Sequence, residues 1–173
     1  MQPNLAYFDA KFCTLEIAEF GGEIWQISFV KSPKKSALNA VLREAISEFE
    51  KYFCGEISNF SLRLHDYSFS PFANAVYSEL LSIPYAQTAA YSEISERMCA
   101  KFASNPANLG FRPKPNSQRA VANACGKNPF PIVIPCHRAV AKNGLGGYCG
   151  RENLTEIKRF LLDLESRNLG KNP

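Results

Sequence analysis

No Cys-x-x-Cys pair occurs among the 6 cysteines (Cys13, Cys54, Cys99, Cys125, Cys136 and Cys149), and the only histidines are His65 and His137. No Cys/His grouping has zinc-site spacing, so no metal is expected. No apolar run approaches the ~20 residues of a membrane span, and no membrane partner is expected. The start, Met1-Gln2-Pro3-Asn4, lacks the basic-then-apolar pattern of a secretion signal. The expectation is a cytoplasmic protein whose thiols are reduced. There is no internal repeat and no low-complexity tract. A large excess of one charge is also missing. The net charge of +4 is compatible with a polyanionic partner and does not demonstrate one.

What is present is enough for one ordinary domain or two small ones: 173 residues, 46% of them apolar. Residues 5 to about 64 read as strands plus one helix. Leu15 and Ile17 alternate with polar neighbours, Phe20-Gly21-Gly22-Glu23 makes a turn, and Trp25, Ile27 and Phe29 alternate again. That is a hairpin signal. Leu38, Val41, Leu42, Ala45, Ile46, Phe49 and Phe53 recur at steps of three and four, the stripe of a helix. Ser36 is its expected cap and Gly55 lies past its end. Phe60, Leu62 and Leu64 alternate, which predicts a further strand. Nothing catalytic stands out in this half.

Residues 65–71 read as a linker. Ser70-Pro71 is a helix start, a capping hydroxyl followed by a proline whose missing N–H is not needed there. Ala73, Val76, Tyr77, Leu80 and Leu81 form the expected buried face, and Pro84 stops the helix. A second helix is expected over about 91–102, with Tyr91, Ile94, Met98 and Phe102 in register. A third, about 118–125, is expected to be capped by Ser117 and closed by Gly126. Two short helices of this kind are the parts of a helix-turn-helix, although Ser104 to Asn116 is much longer than a 3–4 residue turn. Loop and short strand follow, then a last amphipathic helix with Leu154, Ile157, Leu161 and Leu164.

One cysteine has a chemically distinct setting. Cys136 follows Pro135 and precedes His137 and Arg138. A thiol with pKa ~8.5 is mostly protonated at neutral pH, and a neighbouring histidine or cation supplies thiolate. A buried packing cysteine is the competing reading, because unpaired cysteines are among the most buried residues.

The run Ile132-Val133-Ile134-Pro135-Cys136-His137-Arg138-Ala139-Val140 resembles the active-site signature of the O6-alkylguanine-DNA alkyltransferases, the methylated-DNA–protein-cysteine methyltransferases. Ile83-Pro84-Tyr85 through Tyr91-Ser92-Glu93-Ile94 is similar to the family's first helix-turn-helix helix and its leading loop. Arg119-Ala120-Val121 resembles the start of the recognition helix. Asn128-Pro129, Gly147-Tyr148 and Leu161-Leu162 through Glu165 match in the same order. The resemblance covers about 70–165, with a fainter match at Tyr52-Phe53-Cys54-Gly55.

The resemblance implies an α/β fold. A small N-terminal three-stranded sheet plus helix (1–68) would precede a mostly helical, winged-helix-like C-terminal domain (69–173) that carries the helix-turn-helix and the cysteine. It implies single-turnover repair. Cys136 would take a methyl or larger alkyl group from O6 of guanine in DNA, with O4-alkylthymine a further possible substrate. His137 would accept the thiol proton through a water, and Glu165 would orient His137. Tyr91 would donate a proton to the purine, and Asn128 would brace the active-site loop. Double-stranded DNA would be bound through its minor groove by a monomer. Arg119 would fill the gap left by the extruded base, with Ser117, Ala120, Ala122 and Asn123 beside it. Cys125, Pro131, Ala139, Tyr148, Cys149 and Gly150 would line the pocket. No cofactor is implied.

The sequence departs from the family pattern in four places. Ala122 replaces a usual glycine. Cys149 stands where a small hydroxyl residue is common. Phe72-Ala73 and Tyr77 replace Phe-Gln and Trp. The segment Ser104 to Asn116 is longer and brings Arg112 and Lys114, which would add phosphate contacts. An alkyltransferase-like protein that binds damage without repairing it is the alternative, but such proteins lack the reactive cysteine. A cysteine hydrolase would turn over, and a helix-turn-helix regulator would be indifferent to Cys136.

Overall fold

The computed structural model describes residues 2–34, 36–105, 110–151 and 154–170. The chain forms two compact units. The first comprises Met1–Asp66, Pro129–Val133 and Asp163–Pro173, and the second Tyr67–Asn128 and Ile134–Leu162. The expected domains were contiguous, 1–68 and 69–173. Two segments from the C-terminal half nevertheless group with the first unit. Local bonds account for this: the Ile27 N–H donates to the Pro129 carbonyl at 2.9 Å, and the Tyr52 hydroxyl donates to Glu165 at 2.7 Å.

In the first unit, β1 (Asn4–Asp9), β2 (Thr14–Phe20) and β3 (Glu23–Val30) form an antiparallel sheet in the order β1-β2-β3. The β2–β3 hairpin closes over Gly21 and Gly22, at φ 63° and 84°. Two positive φ values in a two-residue loop match the right-handed twist of the strands, and glycine adopts them without strain. The register slips by one residue at Ala18/Glu19. For this reason Ile24 and Ile27 are the buried residues of β3, while Trp25 is drawn aside onto the His65 ring, stacked at 3.6 Å.

Helix α1 (Ala40–Cys54) starts later than expected. Its cap is Asn39, whose side chain accepts from the Leu42 N–H at 2.9 Å. Ser36 instead accepts from the Tyr7 N–H at 3.1 Å, and Leu38 is exposed. Gly55 ends the helix in the left-handed region, φ 79°, as expected. The strand predicted over 60–64 is a single bridge from Leu64 to Ile24.

In the second unit, α2 (Pro71–Leu81) is capped by Ser70. Its buried face is Ala75, Val76, Tyr77, Glu79 and Leu80, rotated from the expected one, and Leu81 is exposed. The Glu79 carboxylate takes this inner position because the Lys101 ammonium meets it at 2.5 Å. Helices α3 (Tyr91–Ser104) and α4 (Gln118–Gly126) follow. A two-residue parallel pair, β4 (Ala89–Ala90) with β5 (Ala139–Val140), was not anticipated. It ties the start of α3 to the residues just after Cys136. The long α3–α4 connection is pinned at both ends of its described part. Phe111 packs edge-on against Phe72, and the Ser117 N–H donates to Ser95 of α3 at 3.0 Å. Ser117 sits at the expected cap position, but its hydroxyl donates backwards to the Lys114 carbonyl at 2.6 Å and caps nothing. Pro106, in the same connection, lies outside the described residues.

The last helix, α5 (Thr155–Asn168), buries Lys158, Leu161, Glu165 and Asn168. The spacing is helical, but the stripe is one residue round from the expected Leu154, Ile157, Leu161 and Leu164, and three of its four members are polar. Among the described residues no helix is long and apolar enough to cross a membrane.

Candidate active site

Pro135 leads into a single 3-10 turn, Cys136–Arg138. The turn is stapled at its base. The Cys136 N–H donates to the Ile134 carbonyl at 2.7 Å, and the Arg138 N–H donates to the Pro135 carbonyl at 2.9 Å. Arg138 is a strut. Its guanidinium donates to the Ile83 carbonyl at 2.9 Å and lies 5.5 Å from the centre of the Tyr85 ring. The Ile83-Pro84-Tyr85 loop and the cysteine turn are thereby held together.

Cys136 is 2% exposed, yet it lines a cavity of about 340 Å³ including its mouth. The other walls are Tyr91, Ala122, Cys125, Gly126, Gly147, Tyr148, Cys149 and Gly150. The structure thus brings together Tyr91 from α3, Ala122 and Cys125 from α4, the cysteine turn, and the glycine-rich loop before α5. The end of α4 and the glycine-rich loop approach backbone to backbone. A methyl group on Gly126 would stand 3.3 Å from Gly150, and one on Gly150 would stand 3.2 Å from the Gly126 carbonyl.

Burial opposes ionisation of a thiol. At Cys136 it is overcome, and the pKa is lowered from the ordinary thiol value. The largest cause is a hydrogen bond from the Cys149 thiol, followed, after the opposing burial, by the Asn128 amide and the Lys158 charge. The Asn128 amide donates to the sulfur at 3.2 Å and to the Ile134 carbonyl at 2.8 Å. It therefore grips both the reactive atom and its loop. Cys125 behaves oppositely: burial, with the Cys136 charge second, pushes its thiol up to about 12. The Tyr91 hydroxyl is also raised, by burial first and then by the Cys125 and Cys136 charges, so it keeps its proton.

Lys158 was missed by the sequence reading. It is fully buried on α5 and donates to the carbonyls of Ala139 at 2.6 Å, Leu145 at 2.5 Å and Gly147 at 3.2 Å. Its nitrogen is 3.4 Å from the Tyr91 hydroxyl and 5.6 Å from that ring's centre. Burial lowers its pKa to about 8, against the pull of the Cys136, Cys125 and Cys149 charges. A lysine among leucines on an amphipathic helix reads as solvated surface, and only its place at steps of three and seven from Leu161 and Glu165 could have flagged it.

The remaining predicted site residues are placed as follows. His137 is fully buried, its ring edge-on to Tyr148 at 6.5 Å. Glu165 belongs to the first unit, where it accepts from Tyr52. Pro131 is likewise a buried residue of the first unit and is not a wall of the cavity. Ala139 is not a wall either; its carbonyl accepts from Lys158. On α4, Arg119, Ala120 and Asn123 are exposed, while Val121, Ala124 and Cys125 are buried. Among the described residues no group of His, Cys, Asp and Glu is arranged to hold a metal ion.

A helix-turn-helix whose second helix has one exposed face and one wall of a cavity containing an activated thiol defines a class: DNA-binding proteins that act through a cysteine. The comparisons narrow it. Residues 71–167 match the model of the 6-O-methylguanine DNA methyltransferase DNA-binding domain, and the chain belongs to this family. It is 35% identical over 146 residues to a probable methylated-DNA–protein-cysteine methyltransferase of Acanthamoeba polyphaga mimivirus, covering 84% of each chain. It is 36% identical over 142 residues to the constitutive methylated-DNA–protein-cysteine methyltransferase of Bacillus subtilis, covering 82% of this chain and 74% of the relative. Among solved structures, it superposes on Mycobacterium tuberculosis OGT in complex with DNA with a TM-score of 0.70 and 30% identity, covering 90% of this chain and 88% of that one.

Proposed function

We infer that this protein repairs DNA by moving an alkyl group from O6 of guanine onto Sγ of Cys136, once per molecule. The observation that carries the reading is the Cys136 sulfur, buried on a cavity wall with hydrogen-bond donors aimed at it and its pKa lowered. The family membership supports it, and so does the likeness to a relative solved with DNA.

The thiolate attacks the alkyl carbon from the side opposite O6. An S–C bond forms as the C–O bond breaks, and the electron pair passes into the purine. Tyr91, held protonated on the cavity wall, supplies a proton to that leaving base. A thioether has no good leaving group, so the sulfur is not regenerated. His137 serves as the acceptor of the thiol proton through a water, with Glu165 as its orienting partner. Asn128 stabilises the thiolate and braces its loop.

The target atom is inside a duplex and must be turned out to reach the cavity. Arg119, exposed on the first turn of α4, is suited to fill the gap in the stack. Ala120 and the neighbouring small residues let α4 lie close in the minor groove, which discriminates bases poorly and so suits a sequence-independent task. The protein acts as a monomer, and O4-alkylthymine is a secondary substrate.

The test is to mix the protein with an oligonucleotide bearing O6-methylguanine and weigh it. One methyl, mapped to the peptide holding Cys136, is expected. Cys136→Ser should abolish transfer while DNA binding is retained. An unmodified chain, or a methyl on another cysteine, overturns the reading.

A further inference from the structure

Three of the thiols, Cys125, Cys136 and Cys149, line a single cavity. Their roles differ. Cys125 is held as a neutral thiol. Cys149 donates its proton to the Cys136 sulfur, and its own pKa is raised, first by that hydrogen bond and then by burial. Ionisation is thus favoured at one sulfur, and the other is a thiol that hydrogen-bonds to it on the same cavity wall. This is the arrangement of an oxidisable cysteine beside a resolving one. Cys149 also sits at φ 48°, next to Gly150 at φ 67° and two residues past Gly147. A non-glycine residue in the left-handed region is strained, so a change of its backbone angles releases part of that strain, and Gly147, with open space about it, is the hinge on the side away from the Gly126–Gly150 contact. Two sulfurs in hydrogen-bond contact must approach to about 2.05 Å to bond, and this loop is where that movement is absorbed.

We propose that Cys149 is a resolving cysteine for Cys136, so that hydrogen peroxide joins the two in a reversible disulfide within the substrate cavity. The proposal rests on Cys136 being the reactive sulfur. The Cys136 thiolate attacks one peroxide oxygen. An S–O bond forms, the O–O bond breaks, and the departing hydroxide takes a proton from solvent to become water. Cys136 is then a sulfenic acid. The Cys149 sulfur attacks the Cys136 sulfur, the S–S bond forms and the S–O bond breaks. The hydroxide released there leaves as water with the Cys149 proton. One peroxide is reduced to two waters, and two thiols are oxidised.

The consequence is protection. A sulfur that acts only once is lost for good if it proceeds to sulfinic acid, whereas a disulfide is returned by a dithiol.

Trypsin separates the three cysteines, placing Cys125 in 120–127, Cys136 in 128–138 and Cys149 in 143–151. After hydrogen peroxide treatment and non-reducing digestion, the expected product is 128–138 joined to 143–151. Alkyl transfer to an O6-methylguanine oligonucleotide should fall with the yield of that product and return after dithiothreitol. In Cys149→Ser, compared with its own untreated activity, Cys136 should gain oxygen, and dithiothreitol should restore little. The proposal is overturned if no cross-link forms, if Cys136 pairs with Cys125, or if Cys149→Ser recovers as fully as the wild type. Absence of alkyl transfer by the reduced wild type, with the cross-link still formed, would instead overturn the repair reading and leave the thiol pair standing.

Discussion

A sulfur that attacks saturated carbon must carry charge at neutral pH, and at Cys136 burial alone would prevent this. The side chains around it decide the balance, with Cys149 first and Asn128 and Lys158 after it. The sign of the pH dependence follows. Transfer tracks the thiolate and falls as pH drops through the lowered Cys136 pKa. Asn128→Ala removes one donor and should move that limb to higher pH, lowering the rate at neutral pH about tenfold and less at alkaline pH. Single-turnover rates over a pH series test this; an unshifted limb would leave Asn128 as a brace only. Lys158→Met removes the nearby positive charge and should shift the limb the same way. It also strands three carbonyls, so a loss of about 2 kcal/mol in urea unfolding is expected. The cysteine was legible in the sequence because its chemistry is written in five contiguous residues. Lys158 was not, because its partners are carbonyls of a distant loop, and backbone acceptors leave no trace in side-chain patterns.

Helices and strands were readable where one residue type does one job. The Gly-Gly hairpin and the Ser-Pro start of α2 depend on local backbone conformation, which those residues alone determine. The cap of α1 and the buried stripe of α5 were misread because polar side chains took positions that periodicity reserves for apolar ones. Asn39 both caps α1 and donates to Glu19 at 2.5 Å. Asn39→Ala should cost about 1–2 kcal/mol and Ser36→Ala less, as measured by chemical denaturation. Glu19 is buried in β2 and accepts from Asn4, Gly22 and Asn39. The Asn4 bond, more than the others, holds its carboxyl below the ordinary value. A carboxyl with a lowered folded-state pKa stabilises the fold above its unfolded pKa, and this contribution fades as pH falls through the folded one. Stability should therefore decline on acidification more steeply in the wild type than in Glu19→Gln; parallel profiles would refute it. At the other end of α1, a methyl group on Gly55 would stand 2.6 Å from Asn168 on α5, in a left-handed conformation. Gly55→Ala should cost about 2 kcal/mol, visible as a lower melting temperature.

The whole molecule must find its target among undamaged base pairs, a task of charge and shape rather than sequence. Arg119 on α4, and Arg112 and Lys114 in the extended connection, are exposed. Their backbone is anchored by the Phe111–Phe72 contact and the Ser117–Ser95 bond, so these cations are presented rather than dangling. Replacing Arg112 and Lys114 together with alanine should lower the slope of log affinity against log salt by about 2. An unchanged slope would mean that the segment does not touch phosphate.

The touching glycines, Gly126 at the end of α4 and Gly150 on the cavity rim, leave no slack between them. Whatever presses on the helix is felt by the wall of the chamber. Any displacement of α4 is thus passed to the cavity rim, and what makes the contact that close is the absence of two methyl groups.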